Sequence, residues 1–461
     1  MKARALPALI AALLSATQTQ AEGLMNVYER AVSHDSQLAA ARASREASKA
    51  AVTQSRATLL PQVTAFGETS RNNRNDIEPT LDSYQAGIRL TQPLFRASSW
   101  FSFQASQTLD SRAQAQLSLA QQQLMLDVAE RYIAVLRAED ELDTAHAQEA
   151  ALQKQWQQAK ERYDVGLVAT TEVEEARAGY DDSKSQRIAA QSQLDIAKQE
   201  LAQIAGRYYD DLHRLSSDFP IAKPEPANPN AWKKQATQQN WDIKVAELAL
   251  EATREEVSVA RSQHLPTLDL SAEVIRGSSE GAASDFGIGG GTFTSSQTDR
   301  RVTLSLEMPL FESGATVGAV NEARSEAERA KWDLQTRRRS VRLEAGSLYR
   351  RITTNIESLR AQRQTLVSRR SALDATRAGY EVGTRNIVEV LDAEQNYYVA
   401  LRDYANARYD YVLNTLRLKQ TAGTLSPQDL AGLDRWLSAT APGIERLARQ
   451  VTREEQENSG D

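Results

Sequence analysis

The chain states nearly the same pattern twice, and duplication on this scale restricts it to folds built from two copies of one unit. Arg162-Tyr163-Asp164-Val165-Gly166-Leu167, then Thr170 to Ala176, return as Gly379-Tyr380-Glu381-Val382-Gly383-Thr384, then Ile387 to Ala393. The offset from Tyr163 to Tyr380 is 217 residues, and it also connects Tyr132 with Tyr349 and Ala205-Gly206 with Ala422-Gly423. A shift that holds across whole segments marks repetition of a unit and not of one motif. Leu60-Pro61 and Pro93-Leu94-Phe95 likewise return as Leu265-Pro266 and Pro309-Leu310-Phe311.

Each copy contains a stretch too long for a globular core. From Arg96 to Val165 there is neither Gly nor Pro, and Leu117, Leu124, Val128, Tyr132, Val135 and Leu142 recur at sevens, fours and threes. That spacing predicts one helix of roughly 65 residues, on the order of 100 Å long. Ala315 to Ala378 repeats it with Gly318 and Gly346 as interruptions. Each long helix stops at a Val-Gly turn and is followed by a return helix, over about 170–205 and 386–421, so two antiparallel helical hairpins are expected. Hydrophobic residues are 41% and mean hydropathy is −0.53, which suits long thin helices better than several large cores.

Before each hairpin, after entering helices at about 24–58 and 230–262, the period changes to two. Apolar and polar residues alternate in Tyr84–Thr91, Thr267–Val274 and Arg301–Met308, and more weakly in 61–70. Segments of about ten residues with one apolar and one polar face fit an outer-membrane barrel, with a half-buried soluble sheet as the alternative. Four strands cannot close a barrel, and an open edge cannot face lipid, so a barrel requires several copies of the chain. The connections at about 71–83 and 276–299, the second carrying Gly287, Gly289, Gly290 and Gly291, read as external loops.

Residues 1–21 read as a secretory signal, with Lys2 and Arg4 before an apolar stretch and Thr19-Gln20-Ala21 as a small-residue cleavage site. Without Lys2 and Arg4 the chain keeps 53 basic against 61 acidic residues, a net charge of −8, which argues against nucleic acid as a partner. No other stretch reaches about 18 apolar residues, so no membrane-crossing helix is expected. With no cysteine and four histidines, disulfides and thiolate metal sites are ruled out and catalytic constellations are scarce. Asp143/His146 and Asp210/His213 have a carboxylate-histidine spacing seen in helical di-metal sites, but they lack the Glu-x-x-His pairs of such sites and read as surface residues. The expected organisation is a first repeat at 22–206, a proline-rich linker at 207–229, a second repeat at 230–423, and a tail at 424–461 that holds a short helix candidate and ends in a disordered charged run, Arg453 to Glu457.

Beyond these patterns the chain resembles the TolC family of trimeric outer-membrane efflux and secretion channels. The resemblance lies in Gly23-Leu24-Met25-Asn26-Val27-Tyr28, Leu59-Leu60-Pro61-Gln62, Leu90-Thr91-Gln92-Pro93-Leu94-Phe95, Arg162 to Ala169, Gly379 to Ala393 and Ala405-Asn406-Ala407-Arg408-Tyr409. It implies a mainly α fold with a membrane β segment, in which three protomers give four strands each to a 12-stranded barrel continued by a 12-helix tunnel. It implies a passive exit duct, not an enzyme, without cofactor or resident metal. The lack of an N-terminal cysteine points to the unlipidated branch. The implied partners are a periplasmic adaptor and an inner-membrane transporter of ABC or proton-driven type. The implied gate links are Tyr163, Glu172, Tyr380 and Arg385, with Tyr380 and Arg385 bonding to Glu172. Glu389 and Asp392 become rings of carboxylates at the constriction, and Gly166 and Gly383 mark the adaptor-docking tips. A periplasmic coiled-coil adaptor or scaffold also needs long hairpins and is the competing reading. Such an adaptor carries one hairpin with flanking lipoyl-like β segments, whereas two hairpins are expected here.

Overall fold

The computed structural model describes residues 22–72, 81–282, 292–441 and 443–458. The signal segment 1–21 and the centres of the two external loops, including Gly287 to Gly291, lie outside the described residues. The chain divides into two compact units.

One unit, residues 37–121 and 233–344, is organised by a sheet. Helix α2 (Ser36–Ala57) leads to strands β1 (Gln62–Asn72) and β2 (Leu81–Phe95), and β2 leads into the long helix α3 (Ala97–Asp164). In the second repeat α6 (Trp241–Ser262) leads to β4 (Thr267–Ala282) and β5 (Thr292–Glu307), followed by α7 (Ala315–Glu381). The two hairpins join as one antiparallel sheet in the order β1-β2-β4-β5. Its register carries out the period-2 pattern. Val63, Leu90, Ala272 and Val302 stand side by side on one face, while the next row, Thr64, Arg89, Glu273 and Arg301, stands on the other. Side chains alternate in direction along each strand, so the sheet is apolar on one side and polar on the other. On the polar side Glu273 receives Arg89 at 3.0 Å and Arg301 at 3.6 Å.

The other unit, residues 22–36, 122–232 and 345–458 as described, is built on helices. It holds α1 (Leu24–His34), most of α3 and α7, the return helices α4 (Thr170–Ala205) and α8 (Ile387–Thr421), and α9 (Pro427–Asp434). A two-stranded ribbon pairs β3 (Arg214–Leu215) with β6 (Leu437–Ser438), joining the linker between repeats to the tail. Leu24, Tyr132, Leu136, Leu201, Leu401, Leu418 and Leu430 are fully buried here.

Four details differ from the sequence expectation, the first being that β1 to Asn72, β2 from Leu81, β4 to Ala282 and β5 from Thr292 run through residues expected as external loop. Each entering helix is two helices: α1 ends before Asp35, and α5 (Pro229–Gln239) ends before Asn240, whose side chain accepts the Ile243 N–H at 3.1 Å and caps α6. Both break residues have extended backbone, a local choice open to short polar side chains that periodicity does not register. The tail is helical as α10 (Ile444–Asn458), through the charged run expected to be disordered. Ile444, Leu447, Ala448 and Val451 are buried along one face, and that apolar i, i+3, i+4, i+7 stripe fastens the helix.

Linker and helices meet in a buried knot of charge. Arg214 on β3 reaches Asp143 at 2.8 Å, Glu139 at 3.4 Å and Asp140 at 3.7 Å, while Tyr409 donates to Asp140 at 2.7 Å. Burial raises Glu139 to about 7 and Asp140 to about 6, despite the opposing pull of Arg214. A carboxyl with a folded pKa above its unfolded value favours the folded state most below the unfolded pKa, and this contribution is lost as pH rises through the folded pKa. Heat stability of this unit should therefore fall between pH 5 and pH 8, with Glu139 accounting for up to about 3 kcal/mol. Thermal melts of wild type and Glu139→Gln check this: the variant should show a flatter pH profile, and identical profiles would refute the assignment.

Candidate functional site: the paired hairpin tips

The tips of both hairpins lie in the helical unit, and the duplicated motif gives both the same turn. At the first, the Gly166 N–H donates to Tyr163 O and the Leu167 N–H to Arg162 O, each at 2.8 Å. At the second, Gly383 donates to Tyr380 O at 3.1 Å and Thr384 to Gly379 O at 2.8 Å. These paired bonds close the last helical turn in a Schellman arrangement, which needs a left-handed residue after the helix. Gly166 and Gly383 supply it, with φ of 76° and 79°. A Cβ at either position would meet nothing of its own chain within 4 Å, so within the protomer it is the backbone conformation that demands glycine there.

Behind the turns, α3, α4, α7 and α8 pack around Ala159, Ala176 and Ile387, with Trp156, Val173, Tyr380 and Leu391 at the margin. Trp156 stacks on Tyr180 at 5.6 Å between centroids. The two hairpins are linked through Tyr380, whose hydroxyl donates to Glu172 Oε1 at 2.5 Å. The Arg162 guanidinium lies 4.7 Å from the centre of the Tyr380 ring. Burial, reinforced by the bond to Glu172, raises the Tyr380 hydroxyl above its ordinary pKa, so it stays a donor.

Other expected members are placed differently. Arg385 pairs with Glu389 one turn away on its own hairpin, not with Glu172. Asn386 caps α8 by accepting the Glu389 N–H at 2.9 Å, which sets Glu389 in the first helical turn within reach of Arg385. The hydrogen bond from Arg385 lowers the Glu389 pKa. Tyr163 is 45% exposed and makes no side-chain bond to the second hairpin; its neighbour Arg162 makes that contact. Asp392 is exposed on the same helix start as Glu389.

A second link was not foreseen from the sequence. Glu394 on α8 is completely buried and accepts Gln155 Nε2 of α3 at 2.5 Å and the Arg377 guanidinium of α7. Burial, opposed by Arg377, raises the Glu394 pKa. The signal was present: a carboxylate interrupts the apolar stripe Ile387, Val390, Tyr397, Leu401 of α8, and a charge on a core stripe requires partners. Gln155, Arg377, Tyr380 and Glu394 line a cavity of about 610 Å³ between the hairpins.

These contacts fasten helices together; they do not assemble a nucleophile, base and oxyanion donor. Among the described residues no three His, Cys, Asp or Glu side chains could hold a metal, and Asp143 is engaged by Arg214. Gly277-Ser278-Ser279-Glu280-Gly281 spells a nucleophile-elbow pattern but lies inside strand β4, without the strand-to-helix turn that exposes such a serine.

The outer membrane efflux protein family model matches residues 27–207 and 232–424, the two repeats. The chain belongs to this family. Outer membrane protein TolC of Escherichia coli is 36% identical over 442 residues, covering 94% of this chain and 89% of TolC. Alkaline protease secretion protein AprF of Pseudomonas aeruginosa is 29% identical, covering 88% of this chain and 86% of AprF. The crystal structure of the Campylobacter jejuni CmeC outer membrane channel superposes with a TM-score of 0.74 at 17% identity, over 91% of this chain and 90% of that one. This family member is therefore an outer-membrane efflux or secretion channel of TolC type and not an enzyme, and the adaptor reading of its hairpins is set aside.

The buried link yields a measurable expectation. Glu394→Ala removes the shared acceptor of Gln155 and Arg377, and losing one partner of such a pair costs about 3 kcal/mol. Hydrogen exchange in the first three turns of α8 should speed up markedly, whereas Glu394→Gln should lie between the two. Unchanged protection in Glu394→Ala would show that the tip does not depend on this link.

Proposed function

We propose that three copies of the chain close one 12-stranded barrel in the outer membrane and form a passive exit duct with a gate at the hairpin tips. The observation that carries this reading is the four-stranded sheet: apolar on one face, with β1 and β5 at its edges each paired on one side only. A bilayer tolerates no unpaired backbone edge, and identical copies joined β5 to β1 remove every edge through rotational symmetry. The tips at Gly166 and Gly383 dock a periplasmic adaptor, and through it an inner-membrane transporter of ABC or proton-driven type supplies the driving force. Purified protein in detergent should have the mass of three chains and conduct in planar bilayers; a monomer that never enters a bilayer would end this reading.

The gate reading rests on Tyr380 and Glu172. A charge-assisted bond contributes roughly 1.5–3 kcal/mol before solvent screening, so one in each of three protomers holds a closed mouth that docking can still open. Tyr380→Phe is expected to raise single-channel conductance and antibiotic leakage. Wild-type conductance from correctly assembled Tyr380→Phe trimers would move the closure elsewhere.

At the constriction, threefold repetition brings Glu389 and Asp392 into rings. Arg385 offsets Glu389, so the net negative potential comes mainly from Asp392, and the mouth favours cations. Small multivalent cations added from the periplasmic side should block the pore. Asp392→Ala should relieve the block and Arg385→Ser should strengthen it. Block that is indifferent to both substitutions would remove these residues from the pore.

A further inference from the structure

The apolar face of the sheet carries two arginines that its pattern does not call for. Along this face successive rows across β1, β2, β4 and β5 read Val63/Leu90/Ala272/Val302, then Ala65/Ile88/Val274/Arg300, then Gly67/Ala86/Arg276/Thr298, then Thr69/Tyr84/Ser278/Ser296. Nearer the helices the same face holds Leu270 opposite Leu304 and Leu268 opposite Leu306. Val302, Leu304 and Leu306 are 74%, 61% and 71% exposed, as lipid-facing side chains of a single chain must be. Moving away from the helices, the face thus passes from aliphatic residues to arginine, then to Tyr84, serine and threonine.

Arg276 and Arg300 differ from the arginines of the opposite face. There Arg89 and Arg301 share Glu273 as a partner, and Arg96 meets Asp269 at 2.6 Å. Arg276 and Arg300 are exposed, and neither makes an ion pair among the described residues. They occupy neighbouring rows of adjacent strands, a diagonal placement that brings two side chains about 7–8 Å apart at their bases. One phosphorylated headgroup can be gripped by both.

Depth matches this chemistry. Arg276 is nine residues from Thr267, where β4 begins, or roughly 30 Å along the strand and roughly 23 Å of membrane depth at a 40° tilt. An outer-membrane barrel has an apolar band about 25 Å tall, ending in aromatic side chains at the headgroups, which is where Tyr84 stands. The helices follow β2 and β5 at the opposite end of the sheet, so this end belongs to the outer leaflet. Guanidinium matches phosphate oxygens in a planar, bidentate manner.

We propose that Arg276 and Arg300 form a headgroup site on the lipid face of the barrel that binds the phosphate of an outer-leaflet glycolipid. The proposal rests on the barrel reading above, because it takes the apolar face to be the one in contact with lipid.

The test uses the full-length protein reconstituted in vesicles of phosphatidylethanolamine with added diphosphorylated lipid A, dephosphorylated lipid A or phosphatidylglycerol. Lipid that remains with the protein through detergent extraction is quantified by mass spectrometry, and conductance is recorded on the same vesicles. Wild type should retain the diphosphorylated form and neither of the other two. Each basic residue at an anionic surface contributes roughly fivefold in binding, so Arg276→Ser with Arg300→Ser should lower retention by about thirtyfold, and each single variant by about fivefold. The double variant should still conduct. Equal retention by wild type and double variant, or equal retention of the phosphorylated and dephosphorylated lipids by wild type, would overturn the site. Equal retention of phosphatidylglycerol by wild type would overturn the glycolipid assignment. Protein that conducts while showing any of these results leaves the channel reading intact; protein that never inserts defeats that reading and the site with it.

Discussion

Unpaired backbone at the edges of a sheet is the constraint from which the rest of this structure follows. Strands β1 and β5 each lack a partner on one side, and in hydrocarbon no water can satisfy the exposed N–H and C=O groups. A soluble protein could cover such an edge with a loop or a charge. Here the row from Val63 across to Val302 and the rows nearer the helices are apolar, and in the barrel proposed above the solvent for this face is lipid and the missing partner is another copy.

The duplication serves the same requirement. Each repeat contributes one β-hairpin and one helical hairpin, and the two β-hairpins join at β2 and β4 into a single sheet. The two helical hairpins are not interchangeable at their tips, although their Schellman turns are the same. The first offers Glu172 and Gln155 and the second offers Tyr380, Arg377 and Glu394, although Glu172 and Tyr380 have like residues, Glu389 and Tyr163, at the corresponding positions of the other repeat. The links therefore join non-corresponding positions of the two hairpins, Tyr380 to Glu172 and Glu394 to Gln155.

Buried charge in the helical unit has a consistent use. Arg214 gathers three carboxylates, Arg408 reaches the Ser216 carbonyl, and the Tyr411 hydroxyl lies 2.7 Å from the Ala222 carbonyl, so the linker between repeats is tied to the long helices at several points. Such pairs add less stability than apolar packing of equal volume, but they penalise any register that leaves a charge alone. In helices of 68 and 67 residues with few distinguishing apolar patterns, that penalty defines how the segments align.

The sequence by itself determined the duplication, the long helices, the amphipathic strands and the glycine turns, because each is a property of neighbours in the chain. Periodicity reports which face of a segment is apolar, and a Val-Gly step after an uninterrupted helical pattern reports where it must stop. Breaks at Asp35 and Asn240 are local backbone choices that periodicity does not register, and the apolar stripe from Ile444 to Val451 that folds the tail precedes the charged run that obscured it. Tyr380 bonds to Glu172, whereas Arg385, in the turn before α8, pairs with Glu389, which the Asn386 cap sets in the first helical turn within its reach. The partners of Glu394 lie 239 and 17 residues away in sequence, and only the packing of three helices decided that this buried charge is held rather than excluded.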